Sequence, residues 1–180
     1  MNAHDDTGLP SATSGGAHAQ YLTFLLGAEV YAMDLRAARE IIQHGPMTSV
    51  PLMPEYVRGV INLRGAALPV VDLQVRFGRP PAVVGDRTCI VVFDADRGGT
   101  RGALGLLVDA VREVIDIAAG QIEPPPQFGT AVRREFLKGI GKVANRFVII
   151  LDPDTVLDLD DLAQVLAPAD RAAAQHVALA

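Results

Sequence analysis

Apolar residues in this chain fall at every second position or in short unbroken runs, separated by Gly, Pro, Asn and Asp. Leu22, Phe24 and Leu26 alternate with Tyr21 and Thr23, the period-two pattern of a half-buried strand that begins near Gln20. Gly27-Ala28-Glu29 turns the chain, and Val30–Met33 returns as a second strand. Asp34 is placed to cap a single helical turn through Arg36–Ala38, after which Glu40–Gln43 is extended again up to Gly45-Pro46. Pro51 and Pro54 make Val50–Tyr56 a rigid connector. Two β-rich runs, Gly59–Leu63 and Ala67–Leu73, then flank Arg64-Gly65 and predict a hairpin. A short turn over Gln74–Gly78 and a loop over Arg79–Asp86 follow.

Thr88–Phe93 carries no polar residue after Thr88, which predicts a strand buried on both faces. A connection over Asp94–Thr100 leads to Ala103–Val108, and Val111–Ile117 is the next strand. Pro124-Pro125-Pro126 is an exposed extended segment with Phe128 just beyond it. Phe136–Val143 and Arg146–Leu151 pair across Ala144-Asn145. Asp152-Pro153 opens a short helix over Pro153–Leu157, and Asp160–Leu166 gives another. About ten short strands at close spacing describe an all-β chain of small barrels or a sandwich. Val70-Val71-Asp72, Leu107-Val108-Asp109 and Ile150-Leu151-Asp152 form a faint internal echo of strands that end on aspartate.

Composition narrows the function. The 180 residues suffice for one domain or two small subdomains that share a core. A net charge of −5 with few aromatics argues against nucleic acid and against an anionic membrane surface. The longest apolar runs are strand-sized, far below the roughly 20 residues that span a bilayer, so no direct membrane insertion is expected. No secretory leader pattern opens the chain and Cys89 is its only cysteine, which predicts a cytoplasmic protein with a buried structural thiol. Residues 1–18 and 168–180 lack apolar periodicity and are expected to be tails around a domain at 19–167.

No catalytic constellation is legible, so no enzyme activity, metal or cofactor is expected. His4, His18, His44 and His176 share no ligand spacing, and Ser11, Ser14 and Ser49 sit in no nucleophile context. The aspartates from Asp152 to Asp161 lack the glycine and terminal glutamate of a calcium loop and read as caps and solvated charge. Attention falls instead on Asn62-Leu63-Arg64-Gly65. Gly65 tolerates a positive φ, Asn62 bonds readily to its own backbone, and Arg64 projects a planar five-donor fork from a stiff platform. From these residues alone, a binding site and a solvated turn arginine are both open.

Taken together, Val50-Pro51, Pro54, Tyr56-Val57, Gly59–Gly65 and Leu68–Leu73 resemble the signature of CheW-type chemotaxis coupling proteins. Gln20–Phe24, Glu29–Tyr31, Glu40-Ile41, Gly105–Asp109, Ile122–Phe128, Leu137–Gly141 and Phe147–Leu151 are similar to the family's flanking segments, in order. The resemblance implies two intertwined, SH3-like five-stranded β-barrel subdomains with short C-terminal helices. It also implies a non-catalytic adaptor between the cytoplasmic hairpin tips of chemoreceptors and the regulatory domain of the histidine kinase CheA. Other CheW-like proteins in array rings are further implied partners, and a scaffold for another chemosensory-type pathway is the alternative.

By position, the resemblance assigns receptor binding to Glu40, Ile41, Gly59, Asn62, Leu63, Arg64, Gly65, Val111 and Val114. In that assignment Ile41, Leu63, Val111 and Val114 form an apolar floor, while Arg64 and Glu40 set register at its rim. Phe128 becomes an anchor for the kinase or an array neighbour, unless it packs as a satellite core residue. Ala38, where the family often has a larger aliphatic, and Glu123, where some relatives carry a base, depart from the pattern.

Overall fold

Left-handed backbone at two tight turns sets the register of the structure. The computed structural model describes residues 17–97, 100–125 and 134–156. Its strands are β1 (His18–Leu26), β2 (Glu29–Asp34), β3 (Ala38–Gln43), β4 (Val57–Leu63), β5 (Ala66–Asp72), β6 (Cys89–Arg97), β7 (Thr100–Val108), β8 (Ala110–Ala118), β9 (Ile122–Glu123), β10 (Leu137–Val143) and β11 (Arg146–Leu151). Helix α1 (Leu73–Arg76) follows β5 and α2 (Pro153–Val156) follows β11. Arg64 and Gly65, at φ 51° and 83°, join β4 to β5. Ala144 and Asn145, at 48° and 61°, join β10 to β11. Such two-residue, positive-φ turns match the right-handed twist of the strands they connect.

The strands form two sheets, ordered β8-β1-β2-β11-β10-β9 and β3-β6-β7-β5-β4. The second has the five strands expected of a small barrel, and the first adds the two-residue β9. Each sheet takes strands from distant parts of the chain. Hairpin β1–β2 lies in the sheet of the C-terminal strands, whereas hairpin β6–β7 lies among β3, β4 and β5. The two halves of the chain have exchanged hairpins, which is how the subdomains intertwine.

The registers coincide pair by pair. Ala38 faces Phe93 and Ile41 faces Val91; Val111 faces Phe24 and Val114 faces Leu22, with a bulge between the pairs in both cases. Val57 and Gly59 face Val71 and Val70, as Leu137 and Gly139 face Leu151 and Ile150, again with matching bulges. Thr48 bridges Val60 where Glu123 bridges Ile140. A Cβ on Gly59 would lie 2.7 Å from the Thr48 carbonyl oxygen, and one on Gly139 would lie 2.7 Å from that of Glu123. These glycines let one backbone cross another where each sheet curls back on itself.

Three apolar clusters follow. Tyr21, Ala32, Ile117, Val148 and Ile150 fill the first sheet's own interior; Val70, Ala82, Ile90 and Leu107 fill the second's. The largest cluster lies between the sheets, drawing Leu22, Phe24, Tyr31 and Met33 from one and Val71, Val91, Phe93 and Leu106 from the other. β1 is therefore buried on both faces, not half-buried as its alternation predicts: Tyr21 points into one cluster and Leu22 into another. Ile90–Phe93 is buried on both sides, as expected.

Other differences are local. β1 begins at His18, inside the expected tail, because β8 is long enough to pair His18 with Ala118. Asp34 caps a turn, not a helix: its carboxylate accepts the Arg36 N–H at 2.9 Å, and β3 starts at Ala38. Asp72 and Asp152 are true equivalents, each opening a short helix by accepting an N–H from two residues on. Asp109 is not; it accepts the N–H of Gly27 in the first hairpin turn. Pro126, Phe128, Asp160–Leu166 and residues 1–16 lie outside the described residues.

Asp72 is fully enclosed and accepts from Gln74 N, Ala82 N and the Arg58 guanidinium, whereas Asp152 is only half-buried and caps α2. Asp72→Ala is expected to destabilise the fold by about 3 kcal/mol or more, because it strands a buried N–H and a part-buried cation. Asp152→Ala should lose about 1 kcal/mol, the effect of a helix cap alone. Urea melts of both variants check the order, and equal losses contradict it. Gly59→Ala should also destabilise, by roughly 1–3 kcal/mol, from its positive φ and the crowding at Thr48.

Candidate functional site

β3 and β8 are the outer strands of their sheets, and their inward faces meet the central core from opposite sides. Ile41 stands opposite Val91 and Val114 opposite Leu22, so both share a face with core residues. With no strand beyond them, Ile41 stays 49% exposed and Val114 46%. Val111, facing Phe24, packs against the core below them. Cys89 joins the two walls. It pairs with Gln43 of β3, and the backbone of Val111 in β8 approaches its sulfur. Ile41, Val111 and Val114 thus line an apolar strip between the outer strands.

Glu40 and Leu63 lie on the other face of the second sheet. Glu40 precedes Ile42, which packs on that sheet's own interior cluster, and Leu63 follows Ile61, which does the same. From the hairpin tip, Arg64 Nη2 reaches Glu40 Oε2 at 2.6 Å. This ion pair ties β4 to β3, the two outermost strands of the sheet. The guanidinium is 76% exposed and the carboxylate only 25%. Hydrogen bonding and the charge of Glu40 hold the Arg64 guanidinium protonated above its already high ordinary value. Among the described residues only one of its nitrogens is engaged, which leaves the other donors of the exposed fork open. Asn62 Oδ1 accepts the Gly65 N–H at 2.8 Å and stiffens the tip that carries Arg64.

The structure therefore brings Glu40, Asn62, Arg64 and Gly65 together at one tip, and Ile41, Val111 and Val114 along one strip. Gly59 stands apart. It is buried under Thr48 and offers a ligand no surface. Residues outside the sequence-based assignment also border the strip. Arg39 pairs with Asp94 at 3.4 Å on β3, while Arg112 and Glu113 project exposed from β8. A signal for them exists in the sequence: Ala38-Arg39-Glu40-Ile41-Ile42 is repeated as Val111-Arg112-Glu113-Val114-Ile115.

With this geometry in place, the chain can be set beside known proteins. Residues 20–161 match the CheW-like domain. The chain belongs to that family. Chemotaxis protein CheW of Klebsiella aerogenes is 32% identical over 146 residues, covering 81% of this chain and 86% of that protein. A probable chemotaxis protein CheW of Rhizobium etli is 34% identical over 133 residues, covering 74% and 83%. The crystal structure of scaffolding protein TtCheW from Thermoanaerobacter tengcongensis superposes with a TM-score of 0.71 at 33% identity, over 79% of this chain and 94% of that one. As a CheW-like domain this chain is all-β, with two SH3-like subdomains and short helices at their ends. Among its described residues, no helix is long and apolar enough to cross a membrane, and no three His, Cys, Asp or Glu side chains are grouped to hold a metal ion.

Cys89 reports on this site. It is half-buried, less covered than a core thiol, because it opens β6 where β3 and β8 converge. Burial pushes its thiol above the ordinary value, and the Val111 N–H only partly opposes this. Little thiolate is then present at pH 8, and alkylation by iodoacetamide should run about tenfold or more slower than for a free small-molecule thiol. Labelling as fast as glutathione would contradict the placement.

Proposed function

We propose that this CheW-like chain is a non-catalytic adaptor that binds the cytoplasmic helical hairpin of a chemoreceptor between β3 and β8 and also carries the regulatory domain of a CheA-type histidine kinase. The observation behind the reading is the pairing of an exposed apolar strip, Ile41 and Val114, with a charged tip held at fixed register by Arg64–Glu40. An amphipathic helix needs that combination: an apolar floor for its buried stripe and a few oriented polar groups at the rim. Outer strands suit the task, because their inward side chains belong to the core yet remain reachable from outside. The free donors of Arg64 would meet a helix carboxylate or carbonyl, while Glu40 keeps the guanidinium from collapsing onto the sheet.

The same reading makes the adaptor a rigid part. Arg76 of α1 lies over Tyr56 at 4.9 Å and over Phe136 at 4.7 Å, and its Nε donates to the Val156 carbonyl in α2. Tyr56 and Phe136 are equivalents in the two halves: Asp72 N bonds to Tyr56 O as Asp152 N bonds to Phe136 O. One cation clips the two subdomains together. Phe128 is the proposed anchor for the kinase or an array neighbour.

Arg64→Ala should leave the melting temperature nearly unchanged and weaken binding of a purified receptor cytoplasmic fragment by roughly ten- to a hundredfold, the range of a charge-assisted hydrogen bond. Arg64→Lys should recover part of the loss, since it keeps charge without the fork. Kinase-domain binding should survive both changes. Gly65→Val, strained at its positive φ, should damage the fold and lose both partners. Wild-type receptor affinity in a folded Arg64→Ala protein would leave Arg64 as a turn residue and sink the site assignment.

A further inference from the structure

The internal duplication allows a comparison that a single site would not. The two walls of the strip are copies, Ala38–Gln43 and Val111–Asp116, with the same bulge and the same Arg-Glu-aliphatic order. On β3 both charges are matched within the chain: Arg39 by Asp94 and Glu40 by Arg64. On β8 neither is. The position equivalent to Asp94 is Leu25, since Phe24 matches Phe93. The position equivalent to Arg64 is Ala144, because the hairpin β10–β11 has the register of β4–β5, with Ala144-Asn145 at its tip where the other has Arg64-Gly65. Glu113 is exposed and has no ion pair or side-chain hydrogen bond among the described residues.

The backbone of Glu113 is nonetheless held firmly. The buried Thr23 hydroxyl donates to the Glu113 carbonyl at 2.7 Å and accepts the Glu113 N–H at 3.1 Å, filling the bulge. The matching residue in the other sheet, Val92, has no hydroxyl to play this part. A buried two-way hydrogen bond therefore fixes the backbone of a residue whose side chain the fold leaves unused. Anchoring the backbone beneath an unpaired carboxylate suits recognition, because only the side chain is left to be ordered when a cation arrives.

We infer that Glu113 is a specificity-determining residue at the rim of the β8 wall, in the place that Glu40 holds on β3, and that it takes a Lys or Arg side chain of the bound helical hairpin, supplying in trans the cation that Arg64 supplies to Glu40 in cis. This rests on the receptor-binding reading above and adds the sign of charge the partner must carry beside β8. It also makes the two walls unequal: on β3 both charges are matched within the chain, whereas β8 presents Glu113 as an open acidic group beside an equally open Arg112. A helix laid along two otherwise equivalent walls can run either way, and charges left unmatched on one wall alone break that tie.

The test uses the full chain and a purified receptor cytoplasmic fragment from the same genome, with affinity measured at low and high salt. Glu113→Lys should weaken binding about tenfold or more at low salt, and Glu113→Gln should flatten the salt dependence. The double variant Ala144→Arg/Asn145→Gly rebuilds the Arg-Gly tip beside Glu113 and should weaken binding similarly by satisfying the carboxylate internally. Charge reversal of one basic residue near the fragment's tip should restore affinity to Glu113→Lys and to no other variant. Ile41→Lys separates the two readings. If the wild type binds and Ile41→Lys does not, but Glu113→Lys binds like the wild type, the receptor reading stands and the role of Glu113 is overturned. If the wild-type chain does not bind the fragment, both fall. Circular dichroism melts within a degree or two of the wild type confirm that each loss is one of recognition, since the Thr23 contacts are to backbone and survive every substitution at 113.

Discussion

Neither half of this chain can complete a core by itself, and most of the architecture follows from that constraint. Each half surrenders its leading hairpin to the other, so Phe24 packs with the C-terminal strands and Phe93 with the N-terminal ones. The largest apolar cluster then forms between the sheets and takes side chains from both. Each fully buried aliphatic or aromatic side chain there contributes about 1.5–3 kcal/mol of transfer free energy, and the cluster that buries them draws on both halves. The two subdomains are in this sense one cooperative unit, with Arg76 fastened between the equivalent Tyr56 and Phe136.

Placement of the site follows from the same exchange. A strand that leaves its own hairpin and crosses to the other sheet ends up as that sheet's outer strand, and β3 and β8 do so reciprocally. Their inward side chains remain in line with the core but lack a covering neighbour, which is why Ile41 and Val114 are both half exposed. The strip is a by-product of the topology made useful by charge. Where the duplication has diverged, at Arg64-Gly65 against Ala144-Asn145 and at Asp94 against Leu25, the two walls acquire different electrostatics on one backbone plan.

Much of this was legible in the chain itself. Alternation and short apolar runs placed nearly every strand; Asn62 and Gly65 marked one tight turn, and Ala144-Asn145 the other, because only certain residues enter left-handed backbone cheaply. The aspartate at 152 announced a short helix through its capping chemistry, and the echo of strands ending on aspartate pointed to its counterpart at 72. Order in these features comes from interactions within a few residues, so a local reading suffices. The family signature around Gly59–Leu73 added the candidate site residues, among them Glu40 and Arg64, which the structure then joins in an ion pair at 2.6 Å.

What local reading could not supply was pairing between distant segments. The alternation of Tyr21 and Leu22 carries no trace that the hairpin would be covered on both faces, since that depends on strands some ninety residues later in the chain. Gly59 looked like part of a binding surface and is instead the place where Thr48 crosses, a reason visible only once a carbonyl oxygen is found 2.7 Å from the absent Cβ. Asp109 resembled Asp72 and Asp152 by sequence, yet it serves the turn at Gly27. The repeat of Arg-Glu-aliphatic on β3 and β8 was present in the letters throughout. Only the tertiary structure decided that one copy would find its charges matched and the other would not, because an ion pair depends on which strands become neighbours, and the sheet topology alone sets that.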